Sequence, residues 1–307
     1  MKIAIIGTGG VGGYYGALLA KEGHEVTFFA RGEHLRTIQR NGLQIKSPFG
    51  DFNLFPAHAT DDPAQIGPVE LVLFCVKTYD TEVVAKRIQP ILSSSTTVLS
   101  LQNGIDAVER IARFTAPHQI IAGATWISTS VEAPGVIKQV SQFRRIVIGE
   151  LDGSLTPRIQ AIYDAFKQTG VTVELSQEIQ KILWTKFVFI STASSFGALT
   201  RLPLGDWRSL PETRLLVVSL MKEVEAVGRA HGANLDADII EKTMAFIDSS
   251  SPHIKASMQV DVEAGKQFEL ESIVGAIGKK GRQVGIPTPI ADLVYAVLLP
   301  VLKKAQK

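Results

Sequence analysis

The stretch Lys2-Ile-Ala-Ile-Ile-Gly-Thr-Gly-Gly-Val-Gly-Gly13 decides the fold. An apolar run suited to a buried strand leads into Gly7, Gly9 and Gly12 at the spacing G-x-G-x-x-G. The chain then continues without a break into Tyr14-Tyr-Gly-Ala-Leu-Leu-Ala-Lys21, which reads as a helix. Strand, glycine turn and helix in that order form a dinucleotide site. Gly7 permits the tight turn, Gly9 lets the backbone approach a pyrophosphate with no Cβ in the way, and Gly12 lets helix and strand pack closely. The unpaired N–H groups at the helix start then face the phosphates, so Gly7, Thr8, Gly9, Gly10, Val11 and Gly12 are the candidate cofactor-binding residues.

Outward from this turn, Gly23-His-Glu-Val-Thr-Phe-Phe-Ala30 supplies a second buried strand that delivers Arg31 at its end. Sites selective for NAD place an acid about 20 residues after the glycines to accept from the ribose 2′-hydroxyl, whereas an arginine accommodates a 2′-phosphate. Arg31 therefore points to NADP (NADPH). Glu33, two residues on, could still turn inward, and Arg31 could be only a solvated loop charge. Leu43 to Leu54 alternates around Pro48-Phe-Gly50 and reads as a small hairpin. Glu70-Leu-Val-Leu-Phe-Cys-Val76 is a further core strand with Lys77 at its carboxyl end. Open α/β sheets bind ligands there, so Lys77 is placed either to meet a phosphate or ribose or simply to cap the strand in solvent.

A helix is expected over about 81–92, then the strand Thr96-Thr-Val-Leu-Ser-Leu101 ending in Gln102-Asn-Gly104. Asn-Gly after a strand is often only a turn. At the carboxyl edge of a nucleotide-binding sheet, however, the Asn103 amide offers a donor and an acceptor to a nicotinamide or a substrate oxygen. Ile120-Ile-Ala-Gly123 reads as a strand, and Gly135-Val-Ile-Lys-Gln-Val140 and Arg145-Ile-Val-Ile-Gly149 as two more joined in a hairpin. Strands alternating with helices, closed by an antiparallel edge, give an α/β fold with an N-terminal Rossmann-type doubly wound sheet over residues 1–175.

From residue 176 to 307 the pattern is helical throughout, an all-helical C-terminal domain. Ser176-Gln-Glu178 offers an N-cap to a long first helix in which Lys186 is the only charge between Lys181 and Arg201. Lys186, Ile190 and Ser194 are spaced by four and share one face. A lysine on an otherwise uncharged face needs a partner or a chemical role, unless its stem snorkels at a domain edge. Further helices are expected over Glu212–His231, Asp236–Asp248, about His253–Val284 with a break near Gly265, and Ile290–Lys304 after Pro287-Thr-Pro289.

With 307 residues there is room for about two cores. The charge is nearly balanced, 32 Lys and Arg against 30 Asp and Glu, with no long basic run. No nucleic-acid or membrane-surface partner is expected, and the partner should be a small molecule. The single cysteine, Cys75, lies in an apolar strand and reads as a small buried hydrophobe, which fits a reducing cytoplasm. No signal pattern and no uninterrupted apolar run of about 20 residues is present. A homodimer through apolar faces of the last helices is open, and no metal site is expected.

End to end, the chain resembles the ketopantoate reductase (2-dehydropantoate 2-reductase) family. The resemblance runs through Gly7-Thr-Gly-Gly-Val-Gly12, Lys77, Gln102-Asn-Gly104, Leu183-Trp-Thr-Lys186, Ser257-Met258, Asp261-Val-Glu-Ala-Gly265 and Glu269. It implies a Rossmann domain followed by a helical one, and NADPH-dependent reduction of a 2-oxo acid to a 2-hydroxy acid, foremost 2-dehydropantoate to pantoate in pantothenate biosynthesis. By the same resemblance Arg31 and Lys77 meet the 2′-phosphate side of NADP, Asn103 sits near nicotinamide and substrate, Lys186 donates the proton, and Glu269 and Ser257 help hold the substrate. The chemistry agrees: hydride delivery builds negative charge on the carbonyl oxygen, and a cation that can give up a proton stabilises and completes the alkoxide.

There are departures too. Family members commonly carry asparagines one and two turns after the catalytic lysine, where this chain has Ile190 and Ser194. Where the family reads Thr-Glu-Ile-Asp and then Asn-Gly, this chain has Phe268-Glu-Leu-Glu271 and Val274-Gly275. Lost hydrogen bonds to a substrate hydroxyl reduce preference for that substrate, so a more apolar 2-oxo acid is the alternative. The rivals are a non-catalytic NADP-sensing protein, which the retention of Lys186 and Glu269 opposes, and a 3-hydroxyacid dehydrogenase of the 6-phosphogluconate type, which the Gln102-Asn-Gly104 element fits less well.

Overall fold

The computed structural model describes residues 1–306. The chain divides into two compact units, one of 1–102 with 107–179, the other of 103–106 with everything from Gln180 onward. The sequence reading places the change at 175/176; the division of the structure falls at 179/180.

The strands of the first unit are β1 (Lys2–Ile6), β2 (Glu25–Phe29), β3 (Leu43–Lys46), β4 (Phe52–Leu54), β5 (His58–Thr60), β6 (Leu71–Phe74) and β7 (Thr97–Ser100). They continue with β8 (Ile120–Trp126), β9 (Thr129–Ala133), β10 (Val136–Gln139), β11 (Arg145–Gly149) and β12 (Thr172–Leu175). Its helices are α1 (Gly10–Lys21), α2 (Gly32–Asn41), α3 (Thr81–Arg87), α4 (Ala107–Ile111) and α5 (Pro157–Gln168). Eight strands make one sheet in the order β12-β11-β8-β7-β6-β1-β2-β5. Its pairs are parallel apart from β11 against β8.

Why β1 has no polar alternation is visible in its packing. Ile3 and Ile5 join one core with Tyr15 and Leu19 of α1 and Phe166 of α5; Ala4 and Ile6 join another with Val84 and Ala85 of α3 and Ile111 of α4. Successive side chains leave opposite faces of a strand, and helices cover both faces, so every position from Ile3 to Ile6 is apolar. Each such isoleucine contributes about 1.5–3 kcal/mol by burial. β1 lies between β2 and β6 in the sheet, and the chain leaves it in one direction and returns on the other side. The carboxyl end of β1 is therefore the switch point, where open α/β sheets bind ligands.

A second sheet has the order β4-β3-β10-β9. The hairpin expected around Pro48-Phe-Gly50 is present as β3 against β4. The hairpin expected between 135–140 and 145–149 is not. β10 pairs instead with β9, across a turn at Pro134-Gly135, and with β3, while β11 belongs to the large sheet beside β8. β9 is Thr-Ser-Val-Glu-Ala and almost wholly exposed, so no apolar run announces it. The first helix also starts earlier than Tyr14, at Gly10 inside the glycine turn. Cys75 is half-buried by its surface, packs against the first core and has its thiol pKa pushed up by burial.

The second unit is helical, with no strand among its described residues: α6 (Ile179–Thr200), α7 (Leu204–Arg208), α8 (Pro211–Ala230), α9 (Ile239–Ser249), α10 (Ser257–Glu263), α11 (Ala276–Val284) and α12 (Pro289–Ala305). Among the described residues, α6 alone is long and apolar enough to cross a membrane by length and composition. Its apolarity has a nearer explanation, because Trp184, Phe187, Val188 and Phe196 are buried in the core of this unit. Just before it, the Ser176 hydroxyl accepts from the Glu178 N–H at 3.1 Å. The α12 start is held by the buried Glu223, whose carboxylate accepts from the N–H groups of Ile290 (2.8 Å) and Ala291 (2.9 Å). A carboxylate at a helix N-terminus satisfies orphan donors and complements the dipole.

Candidate active site

In the first unit, the site begins where β1 ends. Gly7 has φ +103°, a conformation open to glycine, and a Cβ there would stand 2.6 Å from the Val76 nitrogen. A Cβ at Gly12 would stand 2.2 Å from the Gly7 carbonyl oxygen, so α1 can approach β1 only with glycine at this position. At Gly9 a Cβ would meet nothing within 4 Å. Its lack of a side chain answers to no neighbour in the protein, as expected of a surface that a diphosphate would approach. Gly9 is also the N-cap of α1 and no side chain caps the helix there. Gly10 lies against the backbone of Thr129, and Val11 is half-buried. The residues thus fit a dinucleotide: uncapped N–H groups of a 12-residue helix, a tight turn, and an open approach at the one glycine that packing does not require.

Arg31 is the N-cap residue of α2, with a side chain 81% exposed and Nη2 donating to Asp80 Oδ2 at 3.1 Å. Glu33 does not turn inward; its carboxylate takes two hydrogen bonds from Arg36 on its own helix. Lys77 follows β6 and precedes a 3₁₀ turn, Thr78–Asp80. The buried Gln102 amide donates to the Val76 carbonyl and to Thr81 Oγ1, both at 2.9 Å, tying together the carboxyl ends of β6 and β7.

In the second unit, α6 carries Lys186, whose Nζ donates to Asn103 Oδ1 at 2.9 Å. Burial drives the lysine pKa down, to about 8, against the opposing pull of the Glu269 carboxylate. Glu269 is itself 5% exposed and sits between Phe268 and Leu270, both buried in a core with Val294 and Leu298 of α12. A cation hydrogen-bonded to a carboxamide thereby lies in a poorly solvated place within the electrostatic reach of a buried carboxylate. A lysine poised near neutrality can give up a proton there.

The segment Asn103–Asp106 is fastened along its length. Gly104 has φ +100°, and a Cβ on it would lie 2.9 Å from the Ser272 carbonyl oxygen. Ile105 packs against the core of the second unit. Ser272 Oγ donates to Asp106 Oδ2 at 3.4 Å. Ser272 lies on a π turn, Glu271–Gly275, that begins two residues after Glu269. Such turns insert one residue into a helix and occur often at functional sites. Neither Asp106 nor Ser272 stands out in the sequence: they are 166 residues apart and each is ordinary in its own segment.

Of the other expected substrate residues, Ile190 and Ser194 are on the helix that carries Lys186, and Ser257 is on α10. Ile190 is half-buried and packs against the core of the unit. Ser194 is fully buried. Ser191 and Thr192 return their hydroxyls to the carbonyls of Phe187 (2.6 Å) and Val188 (2.8 Å), but the Ser194 hydroxyl has no partner among the described residues. Ser257 is exposed on the first turn of α10.

The family sequence model described as Ketopantoate reductase PanE/ApbA matches residues 3–153, and Ketopantoate reductase PanE/ApbA C terminal matches 178–301. The chain belongs to the ketopantoate reductase family. As a member of that family it is an oxidoreductase acting on CH–OH groups of small molecules with a nicotinamide cofactor. It is similar to a 2-dehydropantoate 2-reductase of Nostoc sp., 29% identical over 299 residues that cover 96% of this chain and 93% of that one. The crystal structure of a PanE/ApbA family ketopantoate reductase from Ralstonia eutropha superposes with TM-score 0.92 at 31% identity, covering 100% of both chains. The fold is also that of D-mandelate dehydrogenase in its ternary structure with NADH and anilino(oxo)acetate, TM-score 0.91 at 21% identity, covering 100% of this chain and 99% of that one.

Proposed function

We propose that the chain reduces a 2-oxo acid to the corresponding 2-hydroxy acid with NADPH, the unit built on the large sheet holding the dinucleotide and the helical unit supplying the acid. The observation that carries this is Lys186 on Asn103 beside the buried Glu269. NADPH, when bound, supplies the hydride to the substrate's carbonyl carbon. As charge grows on the carbonyl oxygen, the Lys186 ammonium stabilises it and transfers one proton from Nζ, leaving a neutral amine and the finished hydroxyl. Asn103 and Glu269 hold the ammonium in place and oppose its premature loss of the proton.

Relatives named 2-dehydropantoate 2-reductase support 2-dehydropantoate as the substrate. Ile190 favours a second reading, a 2-oxo acid with a branched or aromatic apolar group. An isoleucine offers no donor or acceptor to a substrate hydroxyl, and a pocket without those bonds discriminates poorly in its favour. A screen of NADPH oxidation over 2-dehydropantoate and branched and aromatic 2-oxo acids decides. At least tenfold higher kcat/KM for 2-dehydropantoate selects the first reading, the reverse ratio selects the second, and oxidation with none of them removes both.

The 2′-phosphate assignment of Arg31 has its own test. Arg31→Ala should raise KM for NADPH about tenfold or more, the loss of one charge-assisted hydrogen bond, and leave KM for NADH nearly unchanged. Equal effects on the two cofactors would remove Arg31 from the 2′-phosphate site.

A further inference from the structure

The small sheet has no part in the reading so far, yet it lies on the glycine turn. Gly10 meets the Thr129 backbone of β9 and Gly13 meets the Ile137 side chain of β10, where added Cβ atoms would come within 2.7 Å and 2.8 Å. One polar side chain joins the same two elements. His34, on the first turn of α2, has Nε2 2.8 Å from the Thr8 carbonyl oxygen and Nδ1 2.9 Å from the Gly135 nitrogen in the β9–β10 turn. The Gly135 N–H can only donate, so Nδ1 accepts, and Nε2 therefore carries the proton and donates to Thr8. The imidazole is neutral in this arrangement, because a second ring N–H would face the Gly135 N–H. Burial holds the His34 pKa below the ordinary histidine range, against the pull of the Thr8 carbonyl.

The rest of Thr8 is already committed: its N–H (3.2 Å) and Oγ1 (2.9 Å) both donate to the Phe29 carbonyl at the end of β2. What His34 adds is the direction of the Thr8–Gly9 peptide. The bond is trans, so its C=O and N–H point opposite ways. Drawing the Thr8 oxygen to the imidazole turns the Gly9 N–H the other way.

We propose that His34 is a positioning residue for the dinucleotide diphosphate, aiming the Gly9 N–H by holding the Thr8 carbonyl and bracing the glycine turn against the β9–β10 hairpin. It rests on the reading of the glycine turn as a nicotinamide-dinucleotide site, and its effect should be confined to the diphosphate, since the two backbone groups that His34 holds belong to Thr8 and Gly135 and not to Arg31, the residue assigned to the 2′-phosphate. The test is the dissociation constant of two probes that differ in the diphosphate: 2′-phospho-ADP-ribose, which has one, and adenosine 2′-monophosphate, which does not. They are measured on the full chain, unaltered and as His34→Ala and His34→Phe, the second keeping the bulk of the ring while dropping both hydrogen bonds. In both variants 2′-phospho-ADP-ribose should bind about tenfold more weakly, with adenosine 2′-monophosphate within about twofold of the unaltered chain. Equal losses for the two probes, or unchanged affinity for 2′-phospho-ADP-ribose, overturn the proposal. Should the unaltered chain prefer ADP-ribose to its 2′-phosphate, the NADP reading falls, and His34 is judged by the same criterion on ADP-ribose against AMP.

Discussion

Lys186→Ala is expected to lower reductive turnover by about 10²-fold or more, the usual range for removal of a general acid. The loss should appear in kcat, because Lys186 does most of its stabilising when charge develops on the carbonyl oxygen. Lys186→Arg separates charge from proton donation. A guanidinium keeps the positive charge but stays protonated throughout the accessible range, so it should recover substrate affinity and not turnover. The pH dependence carries a definite sign. Reduction needs the ammonium, whose pKa burial lowers to about 8. The rate should be level below that pH and fall about tenfold per unit above it. Oxidation of the hydroxy acid needs the neutral amine and should rise through the same range. A near-normal rate in Lys186→Ala, measured at saturating NADPH, would take the lysine out of the mechanism.

The second large effect is expected in the glycine turn, where two neighbouring substitutions should fail for different reasons. In Gly12→Ala the new Cβ lies 2.2 Å from the Gly7 carbonyl oxygen, 3.0 Å from Ile5 Cγ2 and 3.1 Å from Cys75 Cβ. The closest of these is backbone and cannot swing aside, so α1 must move off β1. Overpacking of this severity costs about 3 kcal/mol. For a domain of this size that lowers Tm by about 6–12 °C, and NADPH binding should go with it. In Gly9→Ala the Cβ meets no protein atom within 4 Å, and the φ of −84° suits alanine. Its Tm should stay within about 2 °C while NADPH affinity falls about tenfold or more, because only the diphosphate competes for that space. Thermal unfolding and NADPH titration of both variants check the contrast. Unchanged NADPH affinity in Gly9→Ala would mean that the diphosphate lies elsewhere.

The elements that can be read in the sequence are those whose environment is uniform. β1 from Ile3 on and β6 are buried on both faces and appear as unbroken apolar runs, and β7, Thr-Val-Leu-Ser, is buried throughout and continues into Leu101. β9 is exposed and β12 is an edge strand of Thr-Val-Glu-Leu, and neither has a run to announce it. Without β9, β10 has only β11 as an apparent neighbour, which is how two strands of different sheets come to look like a hairpin. In the site, Lys186 is legible because α6 carries no other charge after Lys181, and Asn103 because it follows a core strand. Asp106 and Ser272 are illegible, since nothing local to either marks a contact made across so much chain. His34 is hidden for a related reason: what matters is the pair of backbone groups it meets, and backbone groups leave no letter in a sequence.

The four residues Asn103–Asp106 belong with the helical unit although the chain on either side of them belongs with the sheet. No single cut can therefore separate the two units intact. A fragment ending at Ile179 would keep Asn103 but leave its lysine behind, and Ile105 would lose the apolar surroundings that α6 and its neighbours give it. A fragment beginning at Gln180 would keep Lys186 without the amide that holds it. Shuffling of a dinucleotide half with a new helical half, by recombination or by design, would have to carry this tetrapeptide across with the second partner, as a graft far from the junction.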